Sequence, residues 1–97
     1  MRRLDLVISD EAVADLVDIW TYIAQDSPDQ ADRLIDQIHR TCETLSENPL
    51  IGRQRDELSP GMRSFPVGRY LVFHRIVGAT LQVVRVLSGY RDLDASF

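Results

Sequence analysis

The chain has 97 residues, of which 44% are hydrophobic and 27% charged, and its 11 basic and 15 acidic side chains give a formal net charge of −4 at pH 7. A chain of this length buries enough surface for one core, so we expect a single domain over residues 1–97. The composition is typical of a globular domain and not of a disordered segment, and the acidic balance argues against direct binding to nucleic acid.

Nothing in the sequence predicts a membrane span, a metal site or a cofactor. The apolar runs fall far short of the roughly 20 residues that cross a bilayer, and the amino terminus lacks the apolar core of a secretory signal, so we expect a cytoplasmic protein. The one cysteine, Cys42, can form neither an internal disulfide nor a zinc site by itself, and we expect it in the core. His39 and His74 share no metal-ligand spacing, and His74 alternates with apolar strand residues as a packed histidine does.

Charge is distributed unevenly along the chain, and all of the basic residues are arginines. Residues 1–52 contain 4 arginines and 11 acids, a balance of −7, whereas residues 53–97 contain 7 arginines and 4 acids, a balance of +3. The carboxyl-terminal half is therefore expected to bind an acidic partner locally, although the whole chain is acidic.

The first predicted elements are a short strand and a helix. Residues 4–8 are mostly apolar, and Ser9 or Asp10 is placed to cap a helix over residues 11–25. Apolar residues recur at helical spacing along two stripes of this helix, which indicates burial on more than one side. The first stripe is Ala12, Leu16, Ile19 and Ile23, and the second is Val13, Val17, Trp20 and Ala24.

A second helix begins at a strong start signal. Ser27 can cap it, Pro28 suits its first turn, and Gln30 completes the pattern of a capping box. This helix is predicted to end before Asn48 and Pro49. Because only two residues separate the helices, we expect them to form an antiparallel hairpin.

After this hairpin the apolar pattern changes from a helical period to a strand period. Residues 49–61 are predicted to form a long surface loop, and strands are predicted at residues 62–67, 70–76 and 80–87. Pro66 lacks the N–H that a ladder needs, so its strand is expected at a sheet edge. The predicted fold class is α+β with the order β-α-α-β-β-β, an antiparallel helical hairpin packed on a small, mainly antiparallel sheet.

A series of short motifs runs through the chain, each of them a turn, a strand or a helix end. They are Ser27-Pro28 with Ala31, the helix exit from Leu45 to Pro49, Gly52-Arg53, Arg55-Asp56-Glu57-Leu58, Pro60-Gly61, Arg63-Ser64, Gly68-Arg69-Tyr70, Phe73, Arg75, Val84-Arg85-Val86-Leu87, Gly89 and Arg91-Asp92. In their order and spacing, over nearly the whole length, they resemble the ParE branch of the RelE/ParE toxins of bacterial toxin-antitoxin pairs.

The resemblance implies a RelE/ParE-like fold and the toxin component of a type II toxin-antitoxin system, in a hetero-oligomer with a cognate ParD-like antitoxin. Characterised ParE-like toxins poison DNA gyrase, whereas RelE-like toxins cleave messenger RNA on the ribosome. An apolar strip with basic surroundings suits an acidic amphipathic antitoxin tail, which would bind in a groove or as a strand added at a sheet edge.

The residues favour the ParE branch and a protein without catalytic residues. RNA cleavage needs an acid, a base and cations around the phosphate, and the chain has no lysine. The position before Gly89, where many relatives carry histidine, is Ser88, and a tyrosine such as Tyr90 is a poor base at its ordinary pKa near 10. Two alternatives remain open, which are a ribosome-dependent messenger RNA endonuclease and a degenerate toxin that only binds antitoxin.

The candidate site residues fall into two sets. The predicted contacts with the target are Arg63, Arg85, Tyr90 and Arg91, and the predicted contacts with the antitoxin are Trp20, Arg53, Arg55, Arg69 and Arg75. The alternatives are that the loop arginines pair with nearby acids, that the strand arginines pair with acids of the helices, and that Trp20 packs in the core. The tail over residues 89–97 is expected to turn back onto the sheet through Leu93 and Phe97.

Overall fold

Two helices and five strands form the part of the chain that the computed structural model describes, residues 3–89 and 96–97. In chain order the elements are β1 (Asp5–Ile8), α1 (Asp10–Ala24), α2 (Pro28–Glu47), β2 (Arg53–Gln54), β3 (Arg63–Val67), β4 (Tyr70–Val77) and β5 (Thr80–Ser88). The predicted α+β class and the predicted order of helices and long strands are confirmed. The tail prediction at Leu93 lies outside the described residues.

Both helices begin at the serines that the sequence indicates. The Ser9 hydroxyl accepts a hydrogen bond from the Ala12 N–H at 3.0 Å, so the cap of α1 is Ser9, while Asp10 starts the helix. The Ser27 hydroxyl accepts from the Gln30 N–H at 3.2 Å, and Pro28 occupies the first turn of α2. These caps satisfy amide groups that have no partner within the helix, which explains why the two starts could be predicted closely.

The strands form one sheet in the order β1-β5-β4-β3-β2, in which β1 is parallel to β5 and the other pairs are antiparallel. The prediction of an uninterrupted loop over residues 49–61 was wrong for Arg53 and Gln54, which pair with Ser64 and Arg63. A strand of two exposed residues has no apolar alternation, so its pairing could not be predicted from the pattern.

The main core lies between the helical hairpin and one face of the sheet. Its buried residues are Ala12, Ile19, Ile38, Cys42, Leu45, Val67, Val72, Leu81, Val83 and Val86. A smaller cluster of Met62, Phe73 and Leu87 lies on the opposite face, where Leu58 from the loop packs against it. The ring of Phe97 meets the ring of Phe73 edge-on at 4.9 Å, so the end of the chain covers this second cluster.

The outer edge of β5 is capped by side chains where β1 ends. Ser9 donates its hydroxyl proton to the Val84 carbonyl at 2.7 Å, and the Asp15 carboxylate accepts the Val86 N–H at 2.9 Å. Two polar groups that an added strand would use are therefore already occupied by side chains from the start of α1.

The outer edge of β3 is protected by a different device. The Met62 carbonyl faces this edge, because it accepts the Arg55 N–H at 2.8 Å, and the alternation of a strand turns Pro66 to the same side. The proline ring therefore takes the place of an outward N–H at the end that β2 leaves uncovered. The prediction that the strand of Pro66 lies at a sheet edge was wrong for the strand as a whole, because β3 lies between β4 and β2, but the two residues of β2 leave Pro66 itself uncovered.

Candidate protein-binding surfaces

The predicted site residues do not converge on one place in the structure. Trp20 lies on the helical hairpin, Arg63 and Arg75 share a pocket at one end of the sheet, and Arg69 lies at the opposite end. Arg53 is exposed on β2. Tyr90 and Arg91 lie outside the described residues. The contacts assigned to these residues therefore remain predictions.

Arg85 is held by an acid of the first helix. Its Nε and Nη2 atoms donate to the two carboxylate oxygens of Asp15 at 2.7 and 2.9 Å, and its Nη1 atom donates to the Ser96 carbonyl at 3.3 Å. The hydrogen bonds to Asp15 raise the pKa of Arg85 above its already high usual value. Pairing with a helical acid, one of the two possibilities that the sequence left open, is the state of this arginine.

Arg55 is fixed on the second face of the sheet. Its Nε donates to Glu57 at 2.9 Å, its Nη1 donates to Ser64 at 3.4 Å, and its guanidinium lies 5.8 Å from the centre of the Phe73 ring. The hydrogen bond from Arg55 lowers the pKa of Glu57. Arg55 therefore anchors its loop over the second cluster, with a side chain that is 13% exposed.

Arg63 and Arg75 line one cavity of about 260 Å³, together with Pro49, Leu50, Gly61 and Ile76. We call this set the arginine pocket. Arg63 donates from Nη1 to the Gly52 carbonyl at 3.2 Å, and Arg75 donates from Nε to the Gln82 side chain at 3.0 Å. Within residues 3–89 and 96–97, neither guanidinium forms an ion pair with a carboxylate.

Arg69 lies at the turn between β3 and β4, far from the arginine pocket. The strand β3 separates it from Arg63, and the extended steps from Arg63 to Val67 alone span roughly 13 Å. Its carbonyl accepts the Gly89 N–H at 2.9 Å, so Arg69 adjoins the point where the chain continues to Tyr90. The structure therefore places Arg69 beside Gly89, and its predicted contact with the antitoxin stays a prediction.

The buried titratable groups take part in packing. His74 is fully buried, and its two ring nitrogens lie 3.1 Å from the Val72 carbonyl and 3.4 Å from the Ile51 carbonyl. Burial lowers the pKa of His74, with a smaller contribution from the positive charge of Arg63. Burial also raises the pKa of the Cys42 thiol to about 11, so both groups are neutral near pH 7.

The second apolar stripe of α1 is exposed, which contradicts the prediction that both stripes are buried. Val13 is 48% exposed, Val17 is 58% exposed and Trp20 is 39% exposed, and we call these three residues the α1 stripe. The indole Nε1 of Trp20 donates to Asp32 of α2 at 2.8 Å, so Trp20 spans the two helices instead of entering the core. Helical periodicity detects an apolar face, but it cannot tell whether the same chain covers that face.

Acidic residues border the α1 stripe. Asp10 precedes it on α1, and the bond between Trp20 and Asp32 sets an antiparallel register that brings the following turns of α2 beside it. By helical spacing from Asp32, we infer that Asp36 and Glu43 continue this border along α2, and Asp10 begins it on α1. His39 lies between them on α2 and already contacts Glu43 at 3.3 Å. The stripe is therefore an apolar surface in an acidic surround, whereas the sequence predicted basic surroundings for the antitoxin.

Two negative observations apply to residues 3–89 and 96–97. Neither helix there combines the length and apolar character needed to cross a bilayer. The same residues contain no group of three or more histidine, cysteine, aspartate or glutamate side chains that could hold a metal ion.

The sequence of this chain is similar to those of known toxins. Residues 6–93 match the family model described as the ParE toxin of the type II toxin-antitoxin system parDE. The chain is 36% identical over 91 residues to Toxin ParE1 of Mycobacterium tuberculosis, an alignment that covers 91% of this chain and 92% of that protein. It is 37% identical over 81 residues to Toxin ParE1 of Caulobacter vibrioides, covering 82% of this chain and 83% of the relative.

Two solved structures have the same fold. A chain of the chromosomal ParDE toxin-antitoxin system from P. aeruginosa matches with a TM-score of 0.76 at 23% identity, over 89% of this chain and 96% of that one. A chain of the RelBE2 toxin-antitoxin complex from Mycobacterium tuberculosis matches with a TM-score of 0.60 at 20% identity, over 90% and 99% of the two chains.

Proposed function

Because this chain belongs to the ParE toxin family of type II toxin-antitoxin systems, we propose that it inhibits DNA gyrase by protein contact, without breaking a bond of its own. A cognate ParD-like antitoxin holds it inactive in a hetero-oligomer, in the cytoplasm of the cell that makes both. The toxin presents surfaces to other proteins, and its helices and sheet keep those surfaces in place.

The observation that carries this proposal is the exposed α1 stripe. Val13, Val17 and Trp20 follow one another at helical spacing on a helix whose other apolar face is buried. Contiguous exposed apolar residues with a polar surround are typical of protein-protein interfaces, where aromatic residues contribute most to affinity. A second helix laid along α1 would cover them in the manner of an amphipathic helix in a groove.

The sheet edges support a docked helix over an added strand. Ser9 and Asp15 occupy the backbone groups of β5 beyond β1, and Pro66 removes an N–H from the uncovered end of β3. At these two segments an incoming strand would find few unpaired groups, and the outermost strands of the described sheet are short, with four residues in β1 and two in β2. Of the two binding modes that the sequence left open for the antitoxin, groove docking is the one that we propose.

The acidic border of the α1 stripe determines the charge of the segment that docks there. A helix with lysine or arginine beside its apolar face would meet Asp10, Asp32 and Asp36 favourably, whereas an acidic tail would be repelled. The part of the antitoxin on the hairpin is therefore apolar and basic. Its acidic part requires another place on the toxin.

The contact with the target is proposed at the opposite end of the sheet, around Tyr90 and Arg91, with Arg69 beside them. Arg69 is exposed, and its carbonyl accepts the N–H of Gly89, the residue that precedes Tyr90 in the sequence. Arg85 contributes indirectly, because its guanidinium is engaged with Asp15 and the Ser96 carbonyl. Arg63, which the sequence assigned to the target contact, is part of the arginine pocket.

Support for action without catalysis comes from what the titratable groups already do. His74 is buried against two carbonyls, and the chain's other histidine, His39, contacts Glu43 on the hairpin. His74 pairs with Arg63 across the sheet but is fully buried, and His39 lies on the hairpin, so neither imidazole is exposed in the arginine pocket as an acid or a base for cleavage of RNA would have to be.

The proposal is tested with purified toxin in two reactions run side by side. We expect inhibition of DNA supercoiling by gyrase, or accumulation of cleaved gyrase-DNA complexes, and unchanged protein synthesis in a cell extract. Addition of the cognate antitoxin should restore supercoiling. Cleavage of messenger RNA on ribosomes with gyrase unaffected would identify a nuclease instead, and harmless expression in cells would identify a toxin that retains only antitoxin binding.

A further inference from the structure

We propose that the arginine pocket binds an acidic, partly apolar segment of the antitoxin, separate from the basic helix that docks on the α1 stripe. The identity of the partner rests on the proposed function, whereas the chemistry of the segment follows from the pocket itself. The pocket lies between the loop that follows α2 and the ends of β3 and β4 that meet it.

The two guanidinium groups provide the charge of the site. Each guanidinium has five N–H donors, and the structure gives Arg63 one hydrogen bond, to Gly52, and Arg75 one, to Gln82. The ion pairs of the described residues all involve other groups, which are Arg3 with Glu47, His39 with Glu43, Arg55 with Glu57 and Arg85 with Asp15. Two guanidinium groups in one concavity without a carboxylate form a receptor for one, because guanidinium binds carboxylate through paired hydrogen bonds.

The walls of the pocket are apolar, which distinguishes it from a solvated patch of charge. Leu50 is 57% exposed and Ile76 is 42% exposed, and buried Pro49 lies behind them. A volume of about 260 Å³ is slightly below the range of pockets for small organic ligands, so it suits one or two side chains of a peptide. The segment that fits places an apolar side chain next to a glutamate or aspartate.

The pocket is held in shape before any partner binds. Gly52 has a φ angle of 97°, and a Cβ atom added to it would lie 2.7 Å from the Ser64 carbonyl oxygen, so the loop lies directly against β3. The Gly52 carbonyl accepts from Arg63, and the Ile51 carbonyl lies 3.4 Å from His74. A fixed loop lowers the entropy that binding would otherwise cost.

A protein segment fits this site better than a nucleic acid does. Single-stranded RNA is usually held by bases stacked on aromatic rings, and none of the six residues that line the pocket is aromatic. Contact of Leu50 and Ile76 with a strongly hydrated phosphate backbone would cost free energy, and the protein itself carries a net charge of −4. Carboxylates on an apolar peptide satisfy both the arginines and the walls.

One antitoxin chain can reach both surfaces. Glu43 lies four residues before the end of α2 at Glu47, about 6 Å along the helix axis, and Pro49 follows two residues after that end. A segment that leaves the acid-bordered stripe therefore enters the arginine pocket within a few residues, and its charge must change from basic to acidic over that distance. Because the border of the α1 stripe is negatively charged and the arginine pocket is positively charged, the two surfaces fix the direction in which the antitoxin chain runs.

The test measures binding of the cognate antitoxin to the full-length toxin and to the double variant R63Q/R75Q. We expect the double variant to bind at least about 10-fold more weakly and with a smaller dependence on salt. Glutamine keeps a polar side chain at position 63 but is shorter than arginine and loses the hydrogen bond from Nη1 to the Gly52 carbonyl, so unfolding in urea checks that the double variant keeps its fold. The matched control is R33Q, at an exposed arginine of α2 that is outside the pocket and outside the predicted contacts, and it should bind within about 2-fold of the original protein.

Hydrogen exchange gives a readout that needs no substitution, since the antitoxin should slow exchange at residues 50–52 and 75–77. Equal affinity of R63Q/R75Q and the original toxin, or no added protection there, would overturn the inference while leaving the proposed function intact. If the antitoxin does not bind even the original toxin, the proposed function is wrong. Binding of an acidic, partly apolar peptide to the pocket is then tested with a labelled ten-residue peptide of alternating leucine and glutamate. Binding of a ten-nucleotide RNA in place of that peptide would contradict it.

Discussion

Asp15 and Arg85 join the middle of α1 to β5 through two parallel hydrogen bonds, and the same carboxylate accepts the Val86 N–H. Asp15 is 9% exposed and lies 70 residues from Arg85 in the sequence. This contact fixes the helix that carries the α1 stripe onto the sheet. It also explains why a charged residue is tolerated on the buried side of an apolar helix.

Asp15→Ala should lower the free energy of unfolding by about 3 kcal/mol, because it leaves Arg85 and the Val86 N–H without their acceptor. Asp15→Asn should cost less, since an amide oxygen can still accept the Val86 N–H. Asp18→Asn, at an exposed position of the same helix, is the matched control and should change stability by less than about 0.5 kcal/mol. Unfolding in urea measures the stability of all three variants. A similar loss of unfolding free energy in each would show that the contact between Asp15 and Arg85 stabilises the fold no more than an exposed acid does.

Val17→Glu should weaken antitoxin binding by at least about 100-fold and leave the melting temperature nearly unchanged. Val17 is 58% exposed, so the folded toxin loses little, while the docked helix would meet a charge at the centre of the stripe. Tyr22→Glu is the control, because Tyr22 is 72% exposed on another face of α1. Titration calorimetry compares the variants, and equal losses of affinity for both would reject the stripe as the docking surface.

Gly52→Ala should lower the free energy of unfolding by about 2 to 3 kcal/mol, because the backbone has a φ angle of 97° and the added Cβ would approach the Ser64 oxygen to 2.7 Å. Gly78→Ala tests the same strain without the clash, since its φ angle is 60° and nothing lies within 4 Å of the new atom. It should cost about 1 kcal/mol. A cost at Gly52 no greater than at Gly78 would mean that the loop moves away freely.

The toxin should lose stability as the pH falls below 6.5, because burial lowers the pKa of His74 in the folded state from an ordinary value of 6.5. Below that ordinary value the unfolded chain binds a proton that the folded chain resists, so this contribution is complete above pH 6.5 and decreases between the two pKa values. The extra slope can reach about 1.4 kcal/mol per pH unit. Urea unfolding from pH 8 to pH 5 measures it, and His74→Gln should remove it.

Replacement of Tyr90 and Arg91 by alanine should reduce toxicity in cells and leave antitoxin binding unchanged, because we place the target contact away from both antitoxin surfaces. The comparison is between growth after induction of each toxin and the affinity of each purified toxin for antitoxin. Full toxicity of the double variant would remove these residues from the target contact. Loss of antitoxin binding would place them at the wrong surface.

Much of the fold could be predicted from local signals. The Ser27 cap, the proline after it and the short connection defined α2 and the hairpin, since each acts within a few residues of chain. The pairing of β1 with β5 and the bond between Asp15 and Arg85 join distant parts of the chain. A single amino-acid sequence carries no signal for contacts between such distant residues.

The candidate surfaces were predicted less completely, for a physical reason. The sequence identified Trp20 and the arginines as candidates, but it assigned Val13 and Val17 to the interior because an apolar stripe has the same period whether its partner is internal or external. Leu50 and Ile76 gave no signal, since only the folded chain brings them beside Arg63 and Arg75. Among the described residues, the structure also separates the arginines that form ion pairs with carboxylates from those that do not, a distinction that composition does not contain.

The protected segments of β3 and β5 have a consequence for the toxin when it is free of antitoxin. The α1 stripe is exposed on a helix, whereas Pro66, Ser9 and Asp15 leave fewer backbone groups on β3 and β5 from which a cross-β contact between copies could grow. We therefore expect these two segments not to start fibril formation by the free toxin.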